Sequence, residues 1–218
     1  MPIVETLGRV GVVPVIVIEK EAQAVPLAKA LVKGGLPVLE VTFRTKAAAG
    51  AIAAIRREVP EAVVGAGTLL TPQMVKDAKA AGAVFGVAPG FDPVVMAAAK
   101  AEGLPMCPGI ATASELSQAL SAGCSMVKFF PAEAAGGVKM IKNLLGAFRF
   151  TGVRFMPTGG VNLSNVADYL AVPEVVCCGG TWIVPKDALA AGDWASIERL
   201  AAEASSLVAD VRPEGTGK

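Results

Sequence analysis

Short apolar runs alternate with longer amphipathic stretches along most of the chain. The short runs are rich in valine and end near glycine or proline, which is typical of strands buried on both faces of a parallel sheet. The longer stretches repeat Ala, Leu and Ile at helical spacing. The pattern therefore predicts strands that alternate with helices.

The predicted elements begin with a short helix at residues 2–8. The apolar runs predict strands at 12–17, 37–43, 62–67, 84–87, 105–108, 126–130, 153–157 and 174–178. The amphipathic stretches predict helices at 21–33, 46–58, 72–81, from 93, 113–121, 137–148, 163–170 and 194–209. Thr71 before Pro72 and the T-x-x-E pattern from Thr112 to Glu115 are typical of helix starts.

Eight strands alternating with helices favour a single (β/α)8 TIM barrel with an extra N-terminal helix. An open doubly wound sheet is the alternative, but no G-x-G-x-x-G or Walker pattern follows the first strand. No linker or change in composition divides the chain. We therefore expect one domain over residues 1–211, and a disordered tail at 212–218, which contains one proline and two glycines.

Composition narrows the class of protein. The chain is 53% hydrophobic and 18% charged. Its net charge of +1 indicates no preference for binding nucleic acid or a membrane surface. No apolar run approaches the roughly 18 residues of a membrane span, and the N-terminus lacks the pattern of a secretory signal. The chain has no histidine and no C-x-x-C pair, so we do not expect a zinc site of the ordinary type. We expect no cofactor. The chain has four cysteines, Cys107, Cys124, Cys177 and Cys178. We expect them to be reduced and the protein to be cytoplasmic.

Lys128 lies inside an apolar predicted strand, between Val127 and Phe129. An inward-pointing lysine there would be desolvated, which disfavours the charged ammonium and leaves a neutral amine that attacks carbonyl groups. The alternative is a side chain that extends along the strand to solvent at the mouth of the barrel. The apolar run alone does not separate the two.

Three further polar residues lie within or just after predicted strands, and the active site of such a barrel lies at the carboxyl ends of its strands. Glu40 alternates with apolar neighbours and is a candidate general base, although it could instead form only a salt bridge with Arg44 or Lys128. Arg44 can bind a carboxylate through its planar guanidinium or be a solvated loop charge. Thr68 could donate to the same carboxylate or cap a helix.

Two glycine pairs follow the last two predicted strands. Gly159-Gly160 and Gly179-Gly180 can bring backbone N–H groups close to an anion, and Thr181 adds a hydroxyl. The loops after strands seven and eight often bind phosphate in these barrels. The alternative is a pair of tight turns that need positive φ, and we favour the phosphate site because the two pairs follow neighbouring strands.

Seven motifs, in order along the chain, resemble those of the 2-dehydro-3-deoxyphosphogluconate (KDPG) aldolase family, also called the 4-hydroxy-2-oxoglutarate aldolase family. They are V-L-E-V-T-F-R-T (38–45), G-A-G-T (65–68), V-A-P-G-F (87–91), P-G-I-A-T (108–112), V-K-F-F-P-A-E (127–133), P-T-G-G-V (157–161) and G-G-T-W (179–182). The resemblance implies a metal-independent, trimeric class I aldolase barrel that cleaves the phosphorylated keto acid to pyruvate and glyceraldehyde 3-phosphate.

Site roles follow from the same resemblance, residue by residue. Lys128 matches the Schiff-base lysine and Glu40 the general acid/base. The other matching residues bind substrate: Arg44 and Thr68 the pyruvate carboxylate, Pro89 and Phe130 the pocket wall, Thr158 the substrate hydroxyls, and Gly159, Gly160, Gly180 and Thr181 the phosphate. Thr181 departs from the serine of many relatives but keeps the hydroxyl.

Three rival functions remain open on the sequence. A sister aldolase acts on the galactonate-derived epimer, and Thr158 only weakly favours the gluconate form. A phosphosugar isomerase barrel would share the phosphate turns but would not need Lys128 in the sixth strand. An Ala-rich barrel kept as an assembly scaffold would need none of these residues.

Overall fold

Parallel strands form the centre of the molecule and helices pack on their outer face. The structure is a computed structural model, and it describes residues 3–213. The described residues contain nine strands: β1 Val12–Ile16, β2 Val38–Thr42, β3 Val63–Gly67, β4 Gly86–Val87, β5 Met106–Cys107, β6 Gly109–Ile110, β7 Met126–Phe129, β8 Arg154–Pro157 and β9 Cys178–Gly180.

Ten α-helices occur in the same residues. They are α1 Ile3–Val10, α2 Ala24–Lys33, α3 Ala48–Glu58, α4 Pro72–Ala80, α5 Pro93–Ala101, α6 Ala113–Ser121, α7 Gly137–Phe148, α8 Val166–Leu170, α9 Lys186–Ala191 and α10 Trp194–Val211. Two short 3-10 turns, Glu21–Gln23 and Arg149–Thr151, precede α2 and β8. Within residues 3–213, no helix combines the length and the apolar character needed to cross a bilayer.

The strands form a curved parallel α/β sheet in two hydrogen-bonded sections. One section has the order β5-β4-β3-β2-β1-β9 and the other β6-β7-β8. Isolated parallel bridges join Phe155 to Val175 and Thr158 to Gly179, next to β8 and β9. The central register sets Glu40 beside Gly65 and Lys128 beside Met156.

Side chains alternate between two apolar clusters, as strands buried on both faces require. Leu39 and Val41 of β2 pack outwards in the cluster shared with the helices. Val38 points the other way, into a smaller inner cluster enclosed by the strands. The inner cluster also contains Leu7 of α1, so this first helix covers the end of the interior from which the strands start. Its buried members are Leu7, Val13, Val38, Phe85, Val87, Cys107, Met126, Met156, Val176 and Cys177.

The inner cluster forms a floor, and the polar residues lie one layer above it. Glu40 follows Val38 by two positions, Lys128 follows Met126, and Thr158 follows Met156. Because the strand period is two, each polar residue faces the same interior as its apolar predecessor. The alternation therefore brings a carboxylate, an amine and a hydroxyl together towards the carboxyl ends of the strands.

Most predicted elements are present, with local differences. The predicted strand 105–108 is interrupted at Pro108, which lacks the N–H group that a continuous ladder needs, and gives β5 and β6. The predicted strand 174–178 is instead β9, Cys178–Gly180, because its glycines pair with β1. Helix α9, Lys186–Ala191, was not predicted.

The two ends differ from prediction in other ways. Residue 2 of the predicted first helix lies outside the described residues, and the helix extends to Val10. Arg212, assigned to the disordered tail, instead donates hydrogen bonds to the carbonyls of Leu170, Val175 and Val176. The prediction for residues 214–218 falls outside the described residues.

Candidate active site

Lys128 points into the interior of the curved sheet. Its residue is 5% exposed, so the side chain does not extend along the strand to solvent. The backbone N–H donates to the Pro108 carbonyl at 2.8 Å, which anchors the middle of β7 against β6. The Nζ atom lies 5.1 Å from the centre of the Phe130 ring. The amine therefore lies inside the protein beside an aromatic ring rather than in solvent.

Glu40 is the anion nearest to Lys128. The residue is wholly buried, and its Oε1 lies 3.7 Å from Lys128 Nζ. Neither carboxylate oxygen has a hydrogen-bond partner among the described residues. Gly67 leaves the necessary room, because a Cβ built there would lie 2.1 Å from Oε1. Since a buried carboxylate normally accepts hydrogen bonds, this one is available to a ligand or a water molecule.

The pair can perform carbonyl chemistry. A primary amine can add to a ketone, and a carboxylate within one water molecule of it can move the protons that addition and dehydration require. The 3.7 Å separation is longer than a direct N–H···O bond, so the pair is not locked by one. A substrate atom or a water can therefore share both groups.

Arg44 and Thr68 lie together beyond the ends of β2 and β3. Arg44 Nε donates to Thr68 Oγ1 at 3.4 Å, a long contact that leaves most of the guanidinium unused. Thr68 has φ +58, the one non-glycine residue with positive φ among those described. A β-branched residue rarely adopts this conformation, and such outliers concentrate at ligand-binding sites. Thr71, not Thr68, caps the following helix.

Thr158 ends the short strand extension after β8. It is 4% exposed, and its Oγ1 has no hydrogen-bond partner among the described residues. A Cβ built on Gly179 would lie 2.4 Å from this oxygen, so the neighbouring glycine makes space for it. The hydroxyl is therefore a second unused polar group in the interior.

The turn Gly159-Gly160 has its carbonyls occupied and its amides free. Both glycines have positive φ, +96 and +81. The Gly159 carbonyl accepts from the Glu133 N–H, and the Gly160 carbonyl accepts from the side-chain amides of Asn162 and Asn165. Within residues 3–213, no hydrogen bond is found from the N–H of either glycine. Successive free amides of this kind suit an anion.

The remaining predicted residues lie at or just after the carboxyl ends of strands. Pro89 is half-buried, and its carbonyl would lie 2.1 Å from a Cβ built on Gly109. Phe130 is half-buried and lies against Gly159, where a built Cβ would be 3.2 Å from its ring. Gly180 is buried under the Trp182 ring. Thr181 is exposed.

The cysteines are poor competitors for the nucleophilic role. All four are unpaired and buried. Burial raises the pKa of Cys107 and Cys177 well above the usual range and that of Cys178 to about 12. Because the thiolate is the reactive form of cysteine, these thiols are unreactive near neutrality.

Sequence reasoning missed two features around the site. The positive φ of Thr68 could not be predicted from the sequence, because threonine is β-branched and rarely adopts that conformation. The hydroxyl of Tyr169 on α8 donates to the Glu133 carboxylate in the loop after β7, and only the position of Glu133 in the V-K-F-F-P-A-E motif could have drawn attention to it. Among the described residues, no group of three or more His, Cys, Asp or Glu side chains is arranged to hold a metal ion.

Comparison with known proteins gives a consistent result. A family model described as KDPG and KHG aldolase matches residues 3–200. The chain is 53% identical over 193 residues to the KHG/KDPG aldolase of Escherichia coli, covering 88% of this chain and 90% of that protein. It is 50% identical over 206 residues to the 2-dehydro-3-deoxy-phosphogluconate aldolase of Treponema pallidum, covering 94% and 97%.

A solved structure from Legionella pneumophila is similar throughout. It is described as KDPG aldolase with pyruvate captured at low pH as a covalent carbinolamine intermediate. It superposes with a TM-score of 0.87 at 42% identity, covering 91% of this chain and 96% of that one.

Proposed function

The chain belongs to the family of KDPG and KHG aldolases, and on that premise we propose that it cleaves 2-dehydro-3-deoxy-6-phosphogluconate to pyruvate and glyceraldehyde 3-phosphate. It is a lyase that acts through a Schiff base. One observation carries the assignment of the site: the enclosed amine of Lys128 lies 3.7 Å from a Glu40 carboxylate that has no hydrogen-bond partner among the described residues.

Lys128 begins the reaction as the free amine. It adds to the C2 ketone to form a carbinolamine, and loss of water gives an iminium ion. The iminium accepts the electron pair of the C3–C4 bond when that bond breaks, so the lysine supplies an electron sink. The resulting enamine takes a proton at C3, and hydrolysis of the new iminium releases pyruvate and restores the amine.

Glu40 moves the protons. As carboxylate, directly or through one water, it accepts the proton of the C4 hydroxyl while the C3–C4 bond breaks and the aldehyde forms. As carboxylic acid it returns a proton to C3 of the enamine. Its burial without hydrogen bonds supports this role, because no donor among the described residues occupies either oxygen and both stay available to the substrate or to a water.

The pyruvate half is held by the groups beyond β2 and β3. The Arg44 guanidinium and the Thr68 hydroxyl bind the C1 carboxylate, since both lie at one strand end and donate hydrogen bonds. Pro89 and Phe130 form the walls beside it. Fixing the carboxylate orients the C2 carbon towards the amine.

The distal half is held at the other side of the opening. Thr158 donates its unused hydroxyl to a substrate hydroxyl. The free amides of Gly159 and Gly160, with Gly180 and the Thr181 hydroxyl, bind the phosphate. Binding energy at this end improves the alignment of the reacting carbons.

The same site accepts 4-hydroxy-2-oxoglutarate and releases pyruvate and glyoxylate. This second substrate is favoured by the family model, which covers both activities. The shorter molecule carries a carboxylate at its distal end and keeps the C2 ketone and C4 hydroxyl that the amine and carboxylate need. We expect weaker binding, because the distal carboxylate reaches less far than a phosphate.

Three finer features complete the proposal. The sheet closes into an eight-stranded (β/α)8 barrel, with β5 and β6 as one interrupted strand; the bridge between Thr158 and Gly179 supports closure. The enzyme assembles as a homotrimer, which the exposed side chains of Leu70 and Val94 would suit. It works in the cytoplasm, as four unpaired cysteines favour.

A pyruvate-release assay tests the function most simply. The wild-type protein should release pyruvate from the gluconate-derived phosphorylated keto acid faster than from the galactonate-derived epimer. Lys128→Ala should abolish release, whereas Lys76→Ala, at an exposed position on α4, should leave it unchanged. Absence of pyruvate release from both epimers and from 4-hydroxy-2-oxoglutarate by the wild-type protein would contradict the proposal.

A further inference from the structure

Tyr169 makes a hydrogen bond that the catalytic steps do not use. The residue lies on α8 and is wholly buried, and its hydroxyl donates to Oε1 of Glu133 in the loop after β7. Burial, together with the adjacent carboxylate, raises the pKa of the Tyr169 phenol, so the hydroxyl remains protonated and continues to donate. A buried phenol needs an acceptor, and here an exposed residue from another loop supplies it.

The two ends of the Glu133 side chain lie in different places. A Cβ built on Gly160 would lie 2.6 Å from Cβ and from Cγ of Glu133, so the aliphatic stem covers the glycine turn. A Cβ built on Gly137 would lie 3.3 Å from Oε1 and 3.4 Å from the Tyr169 hydroxyl oxygen. The carboxylate therefore lies on the Gly137 side, and the glycine there leaves room for its hydrogen bond.

The location of this carboxylate matters because the stem lies on the proposed phosphate turn. The Glu133 N–H already donates to the Gly159 carbonyl, which fixes the backbone of Glu133 beside the turn. The side chain, however, can rotate. A carboxylate rotated over Gly160 would lie near the bound phosphate, and two like charges so close repel strongly enough to weaken binding.

We propose that Tyr169 is a positioning residue for the phosphorylated substrate: its hydroxyl holds the Glu133 carboxylate on the Gly137 side, so that only the uncharged stem faces the glycine turn. The inference rests on the proposed phosphate site and adds to it a determinant of preference for a phosphorylated over an unphosphorylated substrate. Neither side chain has a role in the proposed steps at the reacting carbons, so the expected effect is on binding of the distal end.

The test compares single and double variants. Tyr169→Phe removes the hydroxyl and keeps the ring. It should raise KM for the phosphorylated keto acid about five- to tenfold at low salt, leave kcat unchanged, and have no effect on KM for 2-dehydro-3-deoxygluconate, the same keto acid without its phosphate. The rise should shrink at high salt, because screening weakens repulsion between charges. Tyr169→Phe combined with Glu133→Gln should restore KM to within about twofold of wild type, since the charge is gone.

Three results would contradict a positioning role for the Tyr169 hydroxyl. If KM stays raised in the double variant, or if the unphosphorylated substrate is affected equally, the hydroxyl has only a structural role and the inference is wrong. An unchanged KM in Tyr169→Phe also overturns it. Glu61→Gln, an exposed charge-matched change, should alter neither constant.

A second pair of variants leaves the buried tyrosine intact. Glu133→Asp shortens the side chain by one methylene, so its carboxylate loses the Tyr169 hydroxyl and lies closer to the turn; KM for the phosphorylated substrate should rise. Glu133→Asn has the same length without the charge, and KM should not rise. Equal effects of Asp and Asn would overturn the inference. Failure of the proposed function is separate, because it would appear in the wild-type protein as absence of phosphorylated-substrate cleavage.

Discussion

Replacement of Thr68 by glycine should make the protein more stable and a poorer binder of pyruvate. Thr68 has φ +58, a conformation that crowds a β-branched side chain and that glycine adopts freely. Its hydroxyl accepts a long hydrogen bond from Arg44 at 3.4 Å, so removal costs little in the ligand-free protein. The same hydroxyl is proposed to bind the pyruvate carboxylate. Stability and ligand affinity should therefore change in opposite directions.

The expected gain follows from three contributions. The left-handed conformation of a non-glycine residue costs about 1–3 kcal/mol, which the glycine recovers. Glycine loses about 0.5–1 kcal/mol more backbone entropy on folding than the residue it replaces. The lost contact with Arg44 is long and exposed, and contributes about 0.5 kcal/mol at most. The free energy of unfolding should rise by about 1 kcal/mol, or ~2–4 °C in Tm for a chain of this length.

Thermal unfolding and pyruvate binding measure the two effects. Thr71→Gly is the matched control, because Thr71 has φ −140 and caps α4 through a hydrogen bond from the Met74 N–H. That variant should be destabilised by up to about 1 kcal/mol and should bind pyruvate normally. Thr68→Gly should bind pyruvate about tenfold more weakly, since a hydrogen bond to a charged group is lost. Equal destabilisation of the two variants would refute the presence of strain at Thr68.

Three further predictions concern the base, the glycine turn and a helix cap. Glu40→Gln should still form the pyruvate Schiff base but exchange the pyruvate methyl protons about 10²–10⁴-fold more slowly, as followed by NMR in D2O; unchanged exchange would exclude Glu40 as the base. Gly160→Ala should lower kcat/KM for the phosphorylated substrate, whereas Gly152→Ala, also at positive φ but with open space around its Cβ, should only reduce stability by about 1 kcal/mol. Hydrogen bonds from backbone N–H groups lower the pKa of Glu115, so its contribution to stability is present above the unfolded pKa of about 4.3 and is lost as the pH falls through the lower folded value. Glu115→Gln should therefore have a lower free energy of unfolding than wild type at pH 7, and the difference should disappear on acidification. A difference that persists at low pH would show that the cap does not depend on charge.

The α/β fold could be predicted because it depends on hydrophobic periodicity. Short valine-rich runs and Ala-rich amphipathic stretches alternate often enough that strand and helix order follow directly. The exceptions lie where pairing rather than residue type decides. Glycines of β9 form a strand only because β1 supplies a partner, and Pro108 interrupts a run that its neighbours would continue. Helix α9 has only six residues, too few for a periodic signal.

The site was predictable to the extent that polar residues interrupt apolar strands. Lys128 and Glu40 stand out in this way, and a period of two places both in the interior. Their 3.7 Å separation depends on packing between distant strands, which no local pattern contains. The positive φ of Thr68 and the Tyr169–Glu133 hydrogen bond are likewise tertiary features. Residue types can propose such groups, but only the fold brings them together.

Reductive trapping with borohydride in the presence of pyruvate tests the central claim most directly. Reduction of the iminium fixes the three-carbon adduct on the amine that formed it, and peptide mass spectrometry then identifies the lysine. We expect one adduct per chain, on Lys128, and no adduct when pyruvate is omitted. An adduct on a different lysine, or no adduct in a protein that still releases pyruvate from its substrate, would contradict a Schiff-base mechanism at the enclosed amine of β7.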